Sequence, residues 1–416
     1  MRTSLRWITG LILVATGCAQ VPTVVSTAVT KPVAQSRHSA TVAAIPQETI
    51  VRLSPGVNPA AYAKQHGMTV ASSIGLGMYL LKGEGDLATL KRDRQTLWAE
   101  SNHALNLPKL DTTAAPSHVP PHRGDGPNDP LLPAQYGIPI TGTDKAWAKQ
   151  KGSPDVIVAV IDSGIDGTHP EFAGQLLPGW DLTGKVPGPG GNFDGYGHGT
   201  HVAGIIGAKA DNGIGGAGVA PGCKLLPVRI FDEFGHSAEH ISTAAIIWAV
   251  DHGARVINAS WGSPMESEAD KTALQYAFDH DVVFVSAVGN DGGNDPNYPG
   301  ASDGVIGVAA TTDIDTWGSF STYGDWVSVA APGEGILSTF PMAKGNGYRI
   351  MRGTSMACPF VTGAAALIRS QFPQMTRAQV KARLESTAKD VIQPGKDPYS
   401  GNGRINVERA ILDPLR

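Results

Sequence analysis

The chain of 416 residues carries 33 Lys and Arg against 37 Asp and Glu, a formal net charge of −4, which supplies no basic footprint for nucleic acid. Its length suggests two domains, one of them large, plus tails. With 51 glycines and 6% aromatic residues the core has to pack by close approach of small side chains, and three cysteines make no disulfide framework.

In chain order, residues 1–17 read as an export signal: Arg2 and Arg6 precede an apolar stretch of about ten residues, too short to span a membrane. Ala15-Thr16-Gly17 ahead of Cys18 resembles a bacterial lipobox, which implies that Cys18 is lipidated and becomes the mature N-terminus. An ordinary signal peptide with an incidental cysteine is the alternative. Residues 18–46, rich in Val, Thr, Ser, Ala and Pro, cannot bury a core and read as a tether. A small domain is expected over 47–107. "ETIVRL" alternates as a strand, "NPAAYAKQHG" reads as a short helix ended by Gly67, and "MYLLKG" as another strand. "DLATLKRDRQTLWAE" has the helical period, with Asp86 as N-cap. The order predicts a ferredoxin-like α+β unit. Residues 108–127, with Pro, Gly and His, read as an easily cut linker.

From 128 to 416 strands and helices alternate. "DVIVAVIDS", "KLLPVRIFD", "RVINASWG" and "VVFVSAVGN" read as buried strands; "AEHISTAAIIWAVDHG", closed by Gly253, and "SEADKTALQYAFDHD" read as helices. That rhythm predicts an α/β fold with a mostly parallel sheet covered on both faces. Ligand sites in such folds gather at the carboxyl ends of strands, which singles out Asp162, Ser260 and Asn290.

"VAVIDSGIDGTHPEF" places Asp162 after apolar residues, where a buried carboxylate needs a partner; a turn aspartate held by local N–H groups is the plainer reading. "GYGHGTHVAGIIGA" sets His198 between glycines, open to close approach from several sides. Capping is one alternative for it. Zinc on His198 and His201 is another, although zinc takes three or four ligands and no HExxH or Cys/His cluster is near. "GTSMACPFVTGAAAL" puts Ser355 at the mouth of a small-residue helix. There it serves either as an N-cap or as a nucleophile, where the helix dipole favours developing negative charge. An Asp, a His and a Ser on glycine-rich turns of one α/β domain are the parts of an acyl-transfer site.

The blocks "VIDSGID", "GHGTHVAGIIGA", "SAVGND" and "GTSMACPFVTGAAAL" resemble the four signatures of subtilisin-like serine proteases in their thermitase-like branch, over about residues 128–390. The chain order Asp, His, Ser is also that of subtilisin. The resemblance implies a three-layer subtilisin-like fold with Asp162, His198 and Ser355 as triad and Asn290 as side-chain donor of the oxyanion hole. It further implies that Ser260, Trp261 and Gly262 of "NASWG" wall the pocket for the residue before the scissile bond. Gly235 of "EFGHS" would form the opposite backbone wall, so that an extended substrate adds a strand between them. Large apolar residues are the implied preference. "AKADNGIGG" resembles the family's calcium loop, with Asn212 and Asp129 as ligands and Glu171 standing where Asp is usual; a solvated loop is the alternative. Phe360 also departs from the family, which often has His there. Cys223 and Cys358 read as buried small hydrophobes, with a disulfide left open.

The sum is an exported serine endopeptidase, lipid-anchored through Cys18 on the outer membrane or cell surface, or else secreted. It would be monomeric and made as a self-processing zymogen, with 47–107 as inhibitory and folding-assisting propeptide. The absence of a further recognition domain leans towards broad cleavage of extended polypeptides over dedicated processing. A silent binding protein on a protease scaffold is the rival, and a broken triad would be its mark.

Overall fold

Alternation along the strands decides what each sheet face covers. In the computed structural model, which describes residues 42–116, 127–184 and 188–414, the N-terminal part runs β1 (Ala44–Leu53), α1 (Pro59–Gln65), β2 (Met68–Gly75), β3 (Met78–Gly83), α2 (Leu87–Arg92) and β4 (Thr96–Asn106). The strands lie in the order β4-β1-β3-β2, the ferredoxin-like topology expected. Val51, Leu53, Leu81 and Ala99 face α1 and α2 around Tyr62 and Leu90. Their neighbours Ile50, Leu80 and Leu105 turn the other way and share a core with Ile246 and Ile247 of the large domain. The export signal, Cys18, the tether up to residue 41 and linker residues 117–126 lie outside the described residues.

Two expectations need correction here. The helix expected over 86–100 ends at Arg92, and "TLWAE" is strand instead. Asp86 does cap α2, accepting from Thr89 N–H at 2.9 Å. Asp93 then turns to accept from Gln95 N–H at 2.8 Å and stops the helix. The linker is partly ordered as well: β5 (Thr112–Ala114) joins a sheet of the large domain.

Two short helices, α3 (Gly137–Ile140) and α4 (Thr143–Ala146), open the large domain. They lead into β6 (Ile157–Asp162), the hairpin β7 (Trp180–Asp181) and β8 (Gly188–Pro189), α5 (His198–Gly207) and β9 (Lys224–Arg229). Next come β10 (His236–Ala238), α6 (Glu239–Asp251), β11 (Val256–Ala259), α7 (Glu268–Asp279) and β12 (Val283–Ala287). The chain closes with β13 (Ile306–Thr311), β14 (Val327–Pro332), β15 (Ile336–Thr339), β16 (Tyr348–Met351), α8 (Thr354–Gln371), α9 (Arg377–Thr387) and α10 (Val407–Leu412). The main sheet has the order β14-β13-β12-β11-β6-β9-β7-β8 and is parallel except for the β7–β8 pair. Val158, Val160, Val256 and Val285 pack against α5 and α8. Ala159, Ile161, Ile257 and Phe284 pack against α6 and α7 on the opposite face. Helices cover both faces, and the carboxyl ends of β6, β11 and β12 come side by side.

Candidate active site

Asp162 is the last residue of β6 and fully buried. His198 opens α5, and the residue before it, Gly197, has φ +112°, a conformation that favours glycine. A Cβ on Gly199 would lie 2.2 Å from Gly164 O and 3.1 Å from Asp162 Cβ, so the glycine lets the start of α5 pack against the end of β6. His198 Nδ1 lies 2.8 and 3.0 Å from the two Asp162 oxygens. A carboxylate only accepts, so Nδ1 donates to it, and in the neutral ring the lone pair is then at Nε2. That Nε2 is buried and has no hydrogen-bond partner among the described residues.

Ser355 lies in the first turn of α8, not at its cap: the cap is Gly353, and no side chain caps the helix. Its Oγ donates to Ser260 O at 3.0 Å. Pro359, inside α8, has no N–H to offer the carbonyl four residues back, which is that of Ser355. Ser260 Oγ donates to that carbonyl instead, at 3.0 Å. Asn258 links strand and helix in turn, donating to Ser260 Oγ at 2.9 Å and accepting from Thr362 Oγ1 at 2.8 Å.

Asn290 follows β12. Its Oδ1 accepts from Thr354 N–H at 2.8 Å and Thr354 Oγ1 at 3.0 Å, which leaves the Nδ2 donors as its other end. A Cβ built on Gly353 would stand 3.5 Å from Asn290 Oδ1 and 3.6 Å from both Asn290 Nδ2 and Ser355 N, so the Asn290 amide and the Ser355 N–H lie close together at the start of α8. The arrangement can accept a proton at Nε2 and hold an oxyanion between Nδ2 and N–H.

Trp261 is core: buried, with its indole N–H donating to Ile161 O at 2.9 Å. Gly262 is open only to a slim neighbour, since a Cβ there would meet Asn297 Nδ2 at 2.1 Å. Gly235, at φ +82°, offers its carbonyl to Leu107 N–H of the N-terminal domain at 2.9 Å. His201 is turned to other work. Its Nε2 donates to Ile336 O and Arg349 O, each at 3.1 Å, and burial pushes its pKa down to about 3.

Sequence reasoning missed Asp194. This buried carboxylate accepts from Gly197 N–H (2.7 Å), Thr200 N–H (2.9 Å), Thr200 Oγ1 (2.6 Å) and Ser163 Oγ (2.9 Å), and so fixes the turn into α5. Its placement four residues before His198, ahead of a helix, was the available signal.

Asp129, Glu171 and Asn212 do come together. Asp129 accepts from Asp211 N–H (2.8 Å) and Asn212 N–H (3.0 Å). Glu171 accepts from Asn212 Nδ2 (2.8 Å), Gly216 N–H (3.0 Å) and Tyr348 Oη (3.1 Å). Burial, with the Asp129 charge adding to it, pushes the Glu171 pKa up to about 7, and burial likewise raises that of Asp129. Cys223 and Cys358 are free and buried, and Gly137 makes room for the Phe360 ring, which a Cβ there would meet at 2.3 Å.

Against known proteins, the model of the subtilase family matches residues 153–403. Fervidolysin from Fervidobacterium pennivorans is 40% identical over 311 residues, 67% of this chain but only 44% of its own length. Thermitase from Thermoactinomyces vulgaris is 38% identical over 286 residues, 68% of this chain and 99% of thermitase. The crystal structure of fervidolysin, described as a keratinolytic enzyme related to subtilisin, superposes with a TM-score of 0.78 at 30% identity, covering 92% of this chain and 63% of that one. A share of 92% is too large to omit the N-terminal α+β domain.

Proposed function

The chain belongs to the subtilase family of serine endopeptidases, and we propose that Asp162, His198 and Ser355 perform its chemistry with Asn290 as oxyanion donor. The carrying observation is the His198 ring, held by Asp162 through Nδ1 and presenting a buried Nε2 that has no hydrogen-bond partner among the described residues. Ser355 Oγ attacks the substrate carbonyl and passes its proton to Nε2. Asn290 Nδ2 and Ser355 N–H take the oxyanion, an arrangement in which one donor is worth roughly 3–4 kcal/mol. The imidazolium gives its proton to the leaving amine, and water, activated by the same ring, hydrolyses the acyl-enzyme. Ser260–Gly262 and Gly235 supply the backbone walls between which an extended polypeptide adds a strand. The chain carries all four residue types in the family's blocks, which favours this reading over a silent scaffold; Ser355 Oγ, which donates to Ser260 O at 3.0 Å, would turn to His198 Nε2 to react. A fluorophosphonate should label Ser355 in the processed protein and leave Ser355→Ala unlabelled; labelling that survives this substitution would refute the assignment.

The same reading makes the protein an exported zymogen, tethered by lipid at Cys18 and monomeric, with residues 47–107 as propeptide. In support, β4 extends β10 beside the site, and Glu100 caps α7 by accepting from Ser267 Oγ, Glu268 N–H and Ala269 N–H at 2.8–3.0 Å. Asp129, Glu171 and Asn212 fit a structural calcium: two buried carboxylates with raised pKa values are oxygen ligands short of positive charge. Asn212 would have to turn its amide over to offer Oδ1. Calcium, when bound, would neutralise that pair and tie the 208–216 loop to the domain. Calcium at a hundredfold excess over its Kd should add about 2.7 kcal/mol of stability, read as a higher inactivation temperature than in chelator and blunted in Glu171→Gln.

A further inference from the structure

Helix α6 is apolar on two sides. At about 3.6 residues per turn, Ala245, Ile246 and Ala249 fall on one side and are buried with Ala159, Ile161 and Ile257 of the main sheet. Ile241, Ala244, Ile247 and Trp248 fall on the other. Ile247 is buried beneath the N-terminal domain, where a Cβ on Gly75 of β2 would meet its Cδ1 at 3.2 Å. Ile241, Ala244 and Trp248 are half-buried beside it. α7 is built differently and turns Glu268, Lys271, Gln275 and Asp279 to water. A helix polar on its outer side is finished once it covers its own sheet, whereas one apolar on both sides needs a second cover. What covers α6 here is another sheet: Ile50 of β1, Ile74 of β2, Met78 and Leu80 of β3 and Leu105 of β4 give it one apolar face. β4 pairs with β10, and β10 runs without a break into α6, Ala238 ending the strand and Glu239 opening the helix. The catalytic domain thus holds a sheet twice, by its apolar face on α6 and by its edge strand on β10. The strand so held leads towards the site, for Leu107 next donates to Gly235 O. The apolar surface runs on at Trp248, which stacks on Trp180 of β7 (ring centres 5.5 Å apart) and on the exposed His252 (3.7 Å).

We propose that α6 and β10 together form a binding surface outside the cleft for polypeptide that is already in a β-sheet, laid bare when the N-terminal domain leaves. The proposal rests on the zymogen reading given above. Its occupant is a sheet with one apolar face and a free edge strand. The face settles on Ile241, Ala244, Ile247 and Trp248, while the edge strand pairs with β10 and enters the cleft. Burial of apolar area is non-directional and asks for no particular sequence, and backbone pairing aims the strand. The surface therefore selects a substrate by its form, ahead of the residues at the scissile bond.

The probe is a synthetic peptide repeating Val-Lys-Val-Glu, assembled into sheets with every valine on one face. Its control is a peptide of the same composition without the alternation. Mature enzyme, blocked at Ser355 by a fluorophosphonate so that nothing is cut, should bind the assembled sheets roughly tenfold more tightly than the control. The uncut Ser355→Ala chain, whose α6 is covered, should show no such preference. Equal binding of both peptides by mature enzyme, or an equal preference in the uncut chain, would overturn the inference. Intact mass separates this failure from that of the zymogen reading. A mature form that retains the N-terminal domain would refute both, while a domain-free form indifferent to sheet would refute the binding surface alone. Ala244→Asp sets a charge in the middle of the apolar row and should abolish the preference, and Ala244→Val should keep it. Equal preference in the two variants would place the sheet elsewhere. If neither variant matures, the comparison of wild-type enzyme with the uncut chain decides.

Discussion

Pro359 explains why a serine on a neighbouring strand controls the serine that reacts. A proline within a helix leaves the carbonyl four residues earlier without its donor, and here Ser260 Oγ supplies the missing bond to Ser355 O. Ser260→Ala should therefore cost about 1–3 kcal/mol, the penalty for a buried acceptor left unsatisfied, and lower kcat by letting the first turn of α8 shift. Pro359→Ala restores a helical N–H at the right position, so the double variant should recover part of the loss in melting temperature. A double variant no better than Ser260→Ala would exclude this account. Asp162, His198, Ser355 and Asn290 were legible in the sequence because each stands in a block of small residues whose only evident purpose is to expose one polar group. Ser260 was legible as a site residue, but its hold on Ser355 was not. Asp194 left only one signal, an acid four residues ahead of His198 and just before a helix, with partners close by at Gly197 and Thr200. Asn258 was not legible at all, because Thr362, which donates to it, lies on another element far along the chain.

The elements show the same division. Strands buried on both faces, such as β6, β11 and β12, announce themselves as short apolar runs, and α6 and α7 by helical spacing with a glycine or a capping serine at one end. Strand β2 escaped, because Thr69, Ala71 and Ser73 leave it with no strong apolar pattern, and β4 was absorbed into a helical period that Asp93 interrupts. How elements lean on one another is set by contacts the sequence does not display. α5 lies so close to β15 that a Cβ on Gly204 would stand 2.2 Å from Thr339 Oγ1 and 2.4 Å from Ser338 Oγ. Those hydroxyls donate to Thr200 O and His201 O and hold the helix that begins with His198. Gly204→Ala should displace both and destabilise the protein by about 1–3 kcal/mol. kcat should fall with it, because the base moves with its helix. Thermal melting and steady-state kinetics on one preparation would check both, and an alanine as stable and active as glycine would show that the contact relaxes freely.

At the scale of the molecule, the N-terminal domain closes over α6 and α7 and buries titratable groups from both sides. β4 contributes Glu100 and His103, β1 contributes Glu48 with the exposed Lys82 of β3 upon it, and α6 and α7 contribute Glu239, His240 and Asp270. Burial raises the pKa of Glu239 and of Asp270, and the nearby Glu100 adds to both. The raised values mean that the closed form holds protons which the separated parts release, so its advantage is present at low pH and is lost as pH rises through those values. The histidines pull the other way. Burial lowers the pKa of His103, and that of His240 to about 4, so below the ordinary 6.5 the separated parts take up protons more readily. The two effects offset each other in mild acid, which leaves the loss of affinity to the range above neutrality. The N-terminal domain, added back to mature enzyme as an inhibitor, should bind roughly ten- to a hundredfold more weakly at pH 9 than at pH 6, one displaced pKa unit being a factor of ten. Glu239→Gln removes the charge that must form on the alkaline side while keeping the shape, and should flatten the dependence. Inhibition equally tight at both pH values, or a slope unchanged in Glu239→Gln, would show that these carboxylates do not govern release. If the dependence holds, alkaline surroundings favour the free enzyme, and the trigger lies at the contact of β4 with α6 and α7, away from the residues that cut.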